Sequence, residues 1–174
     1  MSCDLIETGE RTRVVLSYRR NRLLYDIGNY AYVEGKGMET EDARARSFVQ
    51  DIIDEGNVDL ITREMDLAVE RCRDLLHSYT NTEISRRYLD DKLRETPVYG
   101  IVMDVPTGFS QTSLNLLEKL IQRYVVFRCV REWMSLTFPA KTEAWELKIN
   151  GVEREIRACM NSRARKVRRR LHPF

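Results

Sequence analysis

Apolar residues fall at helical spacing along most of this 174-residue chain. The clearest run is Val58, Ile61, Met65, Ala68, Cys72, Leu75 and Tyr79, which step by three and four. Arg63, Glu64, Glu70, Arg71 and Asp74 take its other faces, and Asn57 stands before it as an N-cap. Upstream, Leu23, Leu24, Ile27, Tyr30 and Ala31 share one side of a helix over about 19–33, capped by Ser17 and closed by Glu34-Gly35-Lys36-Gly37. A second helix starts at the cap Thr40, faces inward with Ala45, Phe48, Val49 and Ile52, and stops at Gly56. Thr80-Asn81-Thr82-Glu83 has the form of a capping box, which opens a short helix to about Arg94.

After Pro97 the period changes. Tyr99, Ile101, Met103 and Val105 alternate with Gly100, Val102 and Asp104, the signature of a strand over 98–105. A lone strand leaves backbone groups unpaired, so it needs a partner. Arg13–Tyr18 is one choice, and the same strand in another copy is the other. Thr107 to Ser110 is a turn. The main helix follows, over about 112–136, and Leu114, Leu117, Leu120, Ile121, Tyr124, Val125, Phe127, Cys129, Val130 and Trp133 cover much of its circumference. Such a helix is central in a core, or is covered on its second face by another subunit. A last helix runs over about 141–171 with Trp145, Ile149, Val152, Ile156, Cys159, Ala164, Val167 and Leu171 inward. Asn150-Gly151 weakens it by ~1 kcal/mol. At ~1.5 Å per residue it is about 46 Å long, against a domain diameter near ~40 Å, so its end projects.

The expected fold is therefore mainly α: a helical bundle with a long C-terminal helix and a small β-strand or hairpin element. One domain spans 1–174, with an N-terminal arm over 1–18 and a basic C-terminal docking tail over 163–174.

Charge changes the picture at that tail. Hydrophobic residues are 43% and charged residues 32%, a soluble globular composition. The net charge of +2 hides an asymmetry. Arg163, Arg165, Lys166, Arg168, Arg169 and Arg170 are six cations in eight residues without an acid, which leaves 23 Lys and Arg against 27 acids elsewhere. Cations at a helix C-terminus complement the macrodipole at ~0.3–1 kcal/mol each. That accounts for two or three arginines. Six call for an anionic partner, either an acidic protein surface or nucleic-acid phosphates. Val167 and Leu171 supply too little apolar area for a membrane. The closing Leu171-His172-Pro173-Phe174 favours protein, since an aromatic after a helix-stopping proline suits a neighbour's pocket.

Catalytic signals are missing. The sequence carries no phosphate-binding glycine loop, no dinucleotide fingerprint and no nucleophile elbow. His77 and His172 lack a second ligand at metal spacing. The acidic groups Asp51, Asp54, Glu55 and Asp90, Asp91 are expected to be solvated or paired with arginines, and Trp133 and Trp145 to be core anchors. Cys3, Cys72, Cys129 and Cys159 are too scattered for a disulfide framework and are expected as free thiols. The start, MSCDLIETGERTR, has no apolar signal core, and no uncharged run approaches the ~20 residues of a membrane span. No enzyme activity, cofactor or metal is expected.

The order NVDLITREMDLAVERCRDLLHSYT, then a loop or hairpin, then LLEKLIQRYVVFRCVREWMSL and a reaching C-terminal segment resembles the head–tail connector (adaptor or neck) proteins of tailed bacteriophages. SYRRNRLLYDIGNYAYVEG and RRRLHPF are similar in texture to proteins of Bacteroides-type prophages. The resemblance covers about residues 40–174. It implies a virion protein assembled in the bacterial cytoplasm as a homo-oligomeric ring, usually twelve-fold, beneath the portal. It also implies contacts with portal, neck or tail proteins through Arg163, Arg165, Lys166, Arg168, Arg169, Arg170, Leu171 and Phe174, and with DNA in the channel. The alternative is a small DNA-binding or regulatory protein that grips phosphates with the same cations.

Overall fold

The computed structural model describes residues 5–8, 11–38, 43–80 and 97–161. Among these, the elements in order are β1 (Leu5–Thr8), β2 (Arg11–Arg19), α1 (Arg20–Lys36), α2 (Ala43–Gln50), α3 (Glu55–Leu75), α4 (His77–Thr80), β3 (Val98–Pro106), α5 (Gln111–Thr137) and α6 (Thr142–Asn161). The fold is mainly α, with a small three-stranded antiparallel sheet in the order β1-β2-β3.

The strand partner lies within the chain. β2 pairs with β3 so that Val14 stands opposite Met103, Leu16 opposite Ile101 and Tyr18 opposite Tyr99. All six are buried, because both strands alternate and the register keeps the apolar positions on one face. Much of the expected N-terminal arm is thus sheet, and β2 is its middle strand. Ser17 is a strand residue and caps nothing. The alternation of Val14, Leu16 and Tyr18 carries the strand to Arg19, and α1 starts directly after it, with the Arg20 amide donating to Pro97 O at 3.1 Å.

α1 runs three residues past the expected end. Gly35 lies inside it, where a Cβ would meet Gln50 Cγ at 2.7 Å, so it is the close-approach point of α1 and α2 rather than a stop. Thr40 lies outside the described residues. α2 ends at Gln50, and a 3-10 turn over Asp51–Ile53 leads to the extended residue Asp54. α3 then begins at Glu55, so Gly56 sits in its first turn and stops nothing. Asn57 Nδ2 donates to Asp51 O at 2.8 Å, closing the preceding turn instead of capping α3. Phe48, expected inward, is 52% exposed and only leans on Trp133.

α3 buries Ile61, Met65, Ala68, Val69 and Cys72. At its end the burial shifts to Leu76, and Leu75 is partly covered. Thr80 closes this end. Its hydroxyl donates to Arg73 O and Leu76 O at 3.1 and 3.3 Å, reinforcing the backbone bonds that these carbonyls already accept from Leu76 and from Tyr79 and Thr80. The remainder of the expected capping box and the helix to Arg94 lie outside the described residues, as do Asp90, Asp91 and Cys3.

Gly108, with φ of 91°, makes the left-handed step of the turn after β3. Ser110 caps α5 by accepting from the Ser113 amide at 3.4 Å. α5 is the central helix of the chain's own core, with α1, α2, α3 and α6 packed on it. It needs no other subunit to cover it. Tyr30, Phe127 and Trp145 meet edge-to-face with centroids 5.2–5.6 Å apart, locking α1, α5 and α6 together. Trp133 Nε1 donates to Val49 O at 2.9 Å, tying α5 to α2. α6 buries Trp145, Ile149, Val152, Ile156 and Cys159 as expected and passes through Asn150-Gly151 as one helix. Its continuation past Asn161 lies outside the described residues.

Gly35→Ala tests the α1–α2 approach. Helix propensity alone would make it stabilising by about 1 kcal/mol. The steric clash should make it destabilising instead, by about 1–3 kcal/mol in urea unfolding. Gln50→Ala in the same chain should remove most of that loss; a stabilised single variant would contradict the packing described.

Candidate functional site

The tail residues Arg163, Arg165, Lys166, Arg168, Arg169, Arg170, Leu171 and Phe174 lie outside the described residues, and the structure places none of them. It does define where they depart. α6 runs antiparallel to α5, and near its end Cys159 Sγ donates to Ser113 O at 3.1 Å. Tyr79 donates its hydroxyl to Met160 O at 3.4 Å. The basic segment therefore follows a corner built from the start of α5 and the residues just after α3. Exposed Arg154 and Arg157 precede it on α6, with Arg157 paired to Glu153 at 3.0 Å.

Beside α5 lies an open polar groove of about 420 Å³. Asp26, Asn29 and Tyr30 of α1 form one wall; Lys119, Gln122 and Arg123 of α5 form the other. Gln122 Nε2 donates to Asp26 Oδ2 at 2.6 Å, and Arg22 lies 3.6 Å from the same carboxylate. Lys119 and Arg123, one turn apart and exposed, have no carboxylate partner among the described residues. Sequence reasoning missed this groove because it forms only when α1 is laid against α5. The spacing of Lys119 and Arg123 at i and i+4 was the only signal.

Two outer helix faces are further accessible surfaces among the described residues. On α1, the stripe opposite Leu23, Ile27 and Ala31 carries Arg22, Tyr25, Asn29, Tyr32 and Lys36. Lys36 Nζ sits 4.7 Å from the centre of the Tyr32 ring. The helix's acids are turned away from this stripe: Asp26 into the groove, and Glu34 to Lys141 and Lys148 at 3.5 and 3.7 Å. On α3 the outer face carries exposed Glu55, Asp59, Asp66, Glu70 and Asp74 against Arg63 and Arg71, with Leu60 and Leu67 among them.

The buried titratable groups serve the fold. Arg128 of α5 bonds Glu64 of α3 at 3.2 Å. Burial pushes the Glu64 carboxyl above the ordinary carboxylate range, and the Arg128 charge offsets only part of that. Tyr124 donates to Glu153 at 3.2 Å, and Arg131 bonds Glu146 at 3.0 Å. These pairs join α5 to α3 and α6 at the rims of its apolar contacts, as expected of arginines whose stems lie along a core. Cys72 and Cys129 are buried free thiols whose pKa values burial drives upward. His77 opens α4, its Nδ1 3.2 Å from Asp74 O. Among the described residues no group of three His, Cys, Asp or Glu side chains could hold a metal ion. No helix among them is long and apolar enough to cross a membrane.

No protein-family model, curated protein or solved structure matches this chain. The site must be judged by its own chemistry, and that chemistry is one of surfaces: a cationic segment, a basic groove and two helix faces of opposite charge.

Because the folded state raises the Glu64 pKa, it favours the protonated carboxyl. Stability relative to Glu64→Gln should be greatest at low pH, and should fall as pH rises from the ordinary carboxylate value of ~4.3 through the raised one. Urea midpoints of both proteins between pH 4 and pH 7 check this; a difference that grows with pH would reverse the assignment.

Proposed function

We propose that this chain is a structural virion protein, a subunit of a head–tail connector ring that docks on the portal through residues 163–174. The observation that carries the reading is the separation of roles in the molecule. The apolar residues of α5 pack mostly against α1, α2, α3 and α6, while six cations fall in sequence shortly after Asn161. A packed bundle followed in sequence by a cationic segment suits docking to an acidic protein surface.

Two sequence features that invited a ring have partners inside the chain. The apolar circumference of α5 is met by its own bundle, and β3 is met by β2. The proposal rests instead on the tail and on the outer helix faces. It does not require a cofactor, a metal or a catalytic step.

A second reading, phosphate gripping, has one observation in its favour. Lys119 and Arg123 of the groove lie on the N-terminal half of α5, the half against which α6 ends. Lys119 and Arg123, both exposed and one turn apart, suit contact with a nucleic-acid backbone.

Deleting 163–174 should leave the helical circular-dichroism spectrum and the unfolding midpoint nearly unchanged while abolishing co-sedimentation with the cognate portal. Portal binding that survives the deletion would overturn the docking role. The second reading expects duplex-DNA binding that weakens with salt, losing about one unit of log–log slope per phosphate contact removed when Lys119 and Arg123 are changed to Ala. No mobility shift at low salt would eliminate it.

A further inference from the structure

The outer faces of α1 and α3 match one another in spacing and in charge. On α1, Tyr25 and Tyr32 are 62% and 49% exposed, although both are large and partly apolar. Ile53, 47% exposed, packs beside Gly28 between them, its Cδ1 3.2 Å from where a Cβ on that glycine would stand. On α3, Leu60 and Leu67 are 41% and 50% exposed. Each pair is separated by seven residues, which is two helical turns, or about 10.5 Å along the axis. Two apolar knobs on one helix therefore repeat at the same interval as two on the other, the condition for side-by-side helix packing.

Charge gives the pairing its direction. The α1 stripe holds Lys36, and Arg22 paired with Asp26 at 3.6 Å, with no exposed acid of its own; exposed Asp54 stands beside Ile53 at its edge. The α3 face holds Glu55, Asp59, Asp66, Glu70 and Asp74 against Arg63 and Arg71. Arg71 is paired with Asp74, and Arg73 with Glu70, which leaves Arg63 as the cation nearest the middle of the face. Two α3 faces would repel each other through their surplus of acids. An α1 face against an α3 face attracts.

We propose that these faces form a heterologous contact between copies of this chain, with α1 of one subunit seated on α3 of the next. Tyr25, Tyr32 and Ile53 pack against Leu60 and Leu67, and Arg22 and Lys36 meet Asp59 and Asp66. Such a contact uses two different surfaces, so every subunit keeps one of each free for another neighbour. It closes into a ring where the rotation between subunits permits and otherwise propagates. The proposal rests on the connector reading for the closure, and on exposure and charge for the contact itself. It leaves the basic tail available for the portal.

Two variants separate the faces. Tyr25→Asp with Tyr32→Asp spoils α1, and Leu60→Arg with Leu67→Arg spoils α3; all four positions are exposed, and circular dichroism verifies the fold. By sedimentation velocity of the full chain, wild type should assemble beyond dimers as concentration rises, and each variant should remain monomeric. An equimolar mixture should form a one-to-one dimer and nothing larger, since only one intact α1 face and one intact α3 face can meet. If either double variant does not fold, the single variants Tyr32→Ala and Leu67→Ala should each weaken assembly by about tenfold, the loss of one interface anchor. A wild type that stays monomeric at all concentrations, variants that assemble like wild type, or a mixture that stays monomeric while wild type assembles would each overturn the contact. Assembly through these faces without portal binding would leave this inference standing and remove the connector reading; portal binding by a monomer would do the reverse.

Discussion

A 27-residue helix with apolar side chains pointing in nearly every direction has to be enclosed, and the fold is arranged around that need. Burying a large aliphatic or aromatic side chain contributes roughly 1.5–3 kcal/mol, so each exposed turn of α5 would forfeit several such terms. The chain meets the demand with its own helices. α1 lies along α5, α3 and α6 run against it from other sides, and α2 closes the C-terminal half through Trp133 and Val49. Some polar residues of α5, such as Asn115, Lys119 and Arg123, face solvent, and others sit at the seams, where Arg128 reaches Glu64 and Arg131 reaches Glu146. Buried single charges there would cost far more than the pairs contribute, which is why the partners come from facing helices.

Enclosing α5 fixes what is left outside. α1 must turn Leu23, Ile27 and Ala31 inward, so Tyr25 and Tyr32 fall on its outer stripe. α3 must bury Ile61, Met65, Ala68 and Cys72, and its acids and two leucines take the opposite face. The surfaces open to partners are thus consequences of core packing. The sheet behaves in the same way. Tyr18 and Tyr99 cover the core from one side, and β2 runs without a loop into α1, so the strand sets the entry angle of the helix.

The functional consequence is a division between a self-sufficient interior and charged exteriors. With no other subunit needed to complete the core, association has to come from surfaces that are also stable in water. Such contacts depend on complementary charge and a few apolar anchors, and they are reversible and salt-sensitive. The tail, the groove and the two helix faces are all of this kind.

The sequence by itself determined the helices whose apolar residues keep one period. α3, β3 and α5 stand at or near their expected bounds, and the inward set of α6 from Trp145 to Cys159 is buried, because periodicity reports burial wherever a single face is buried. The concentration of six cations at 163–170 was also plain, since charge needs no fold to be counted. What the tertiary structure decided were the features that depend on contact between distant segments. Ser17 could cap a helix or continue a strand, and pairing with Gly100 across the sheet made it a strand residue. Gly35 could end α1 or let α2 approach, and Gln50 stands where its side chain would be. The apolar girth of α5 could point to a second subunit or to a full set of neighbours, and composition does not distinguish a helix covered by its own chain from one covered by another. The groove of Lys119 and Arg123 and the matched faces of α1 and α3 exist only once the core has chosen which side of each helix to hide.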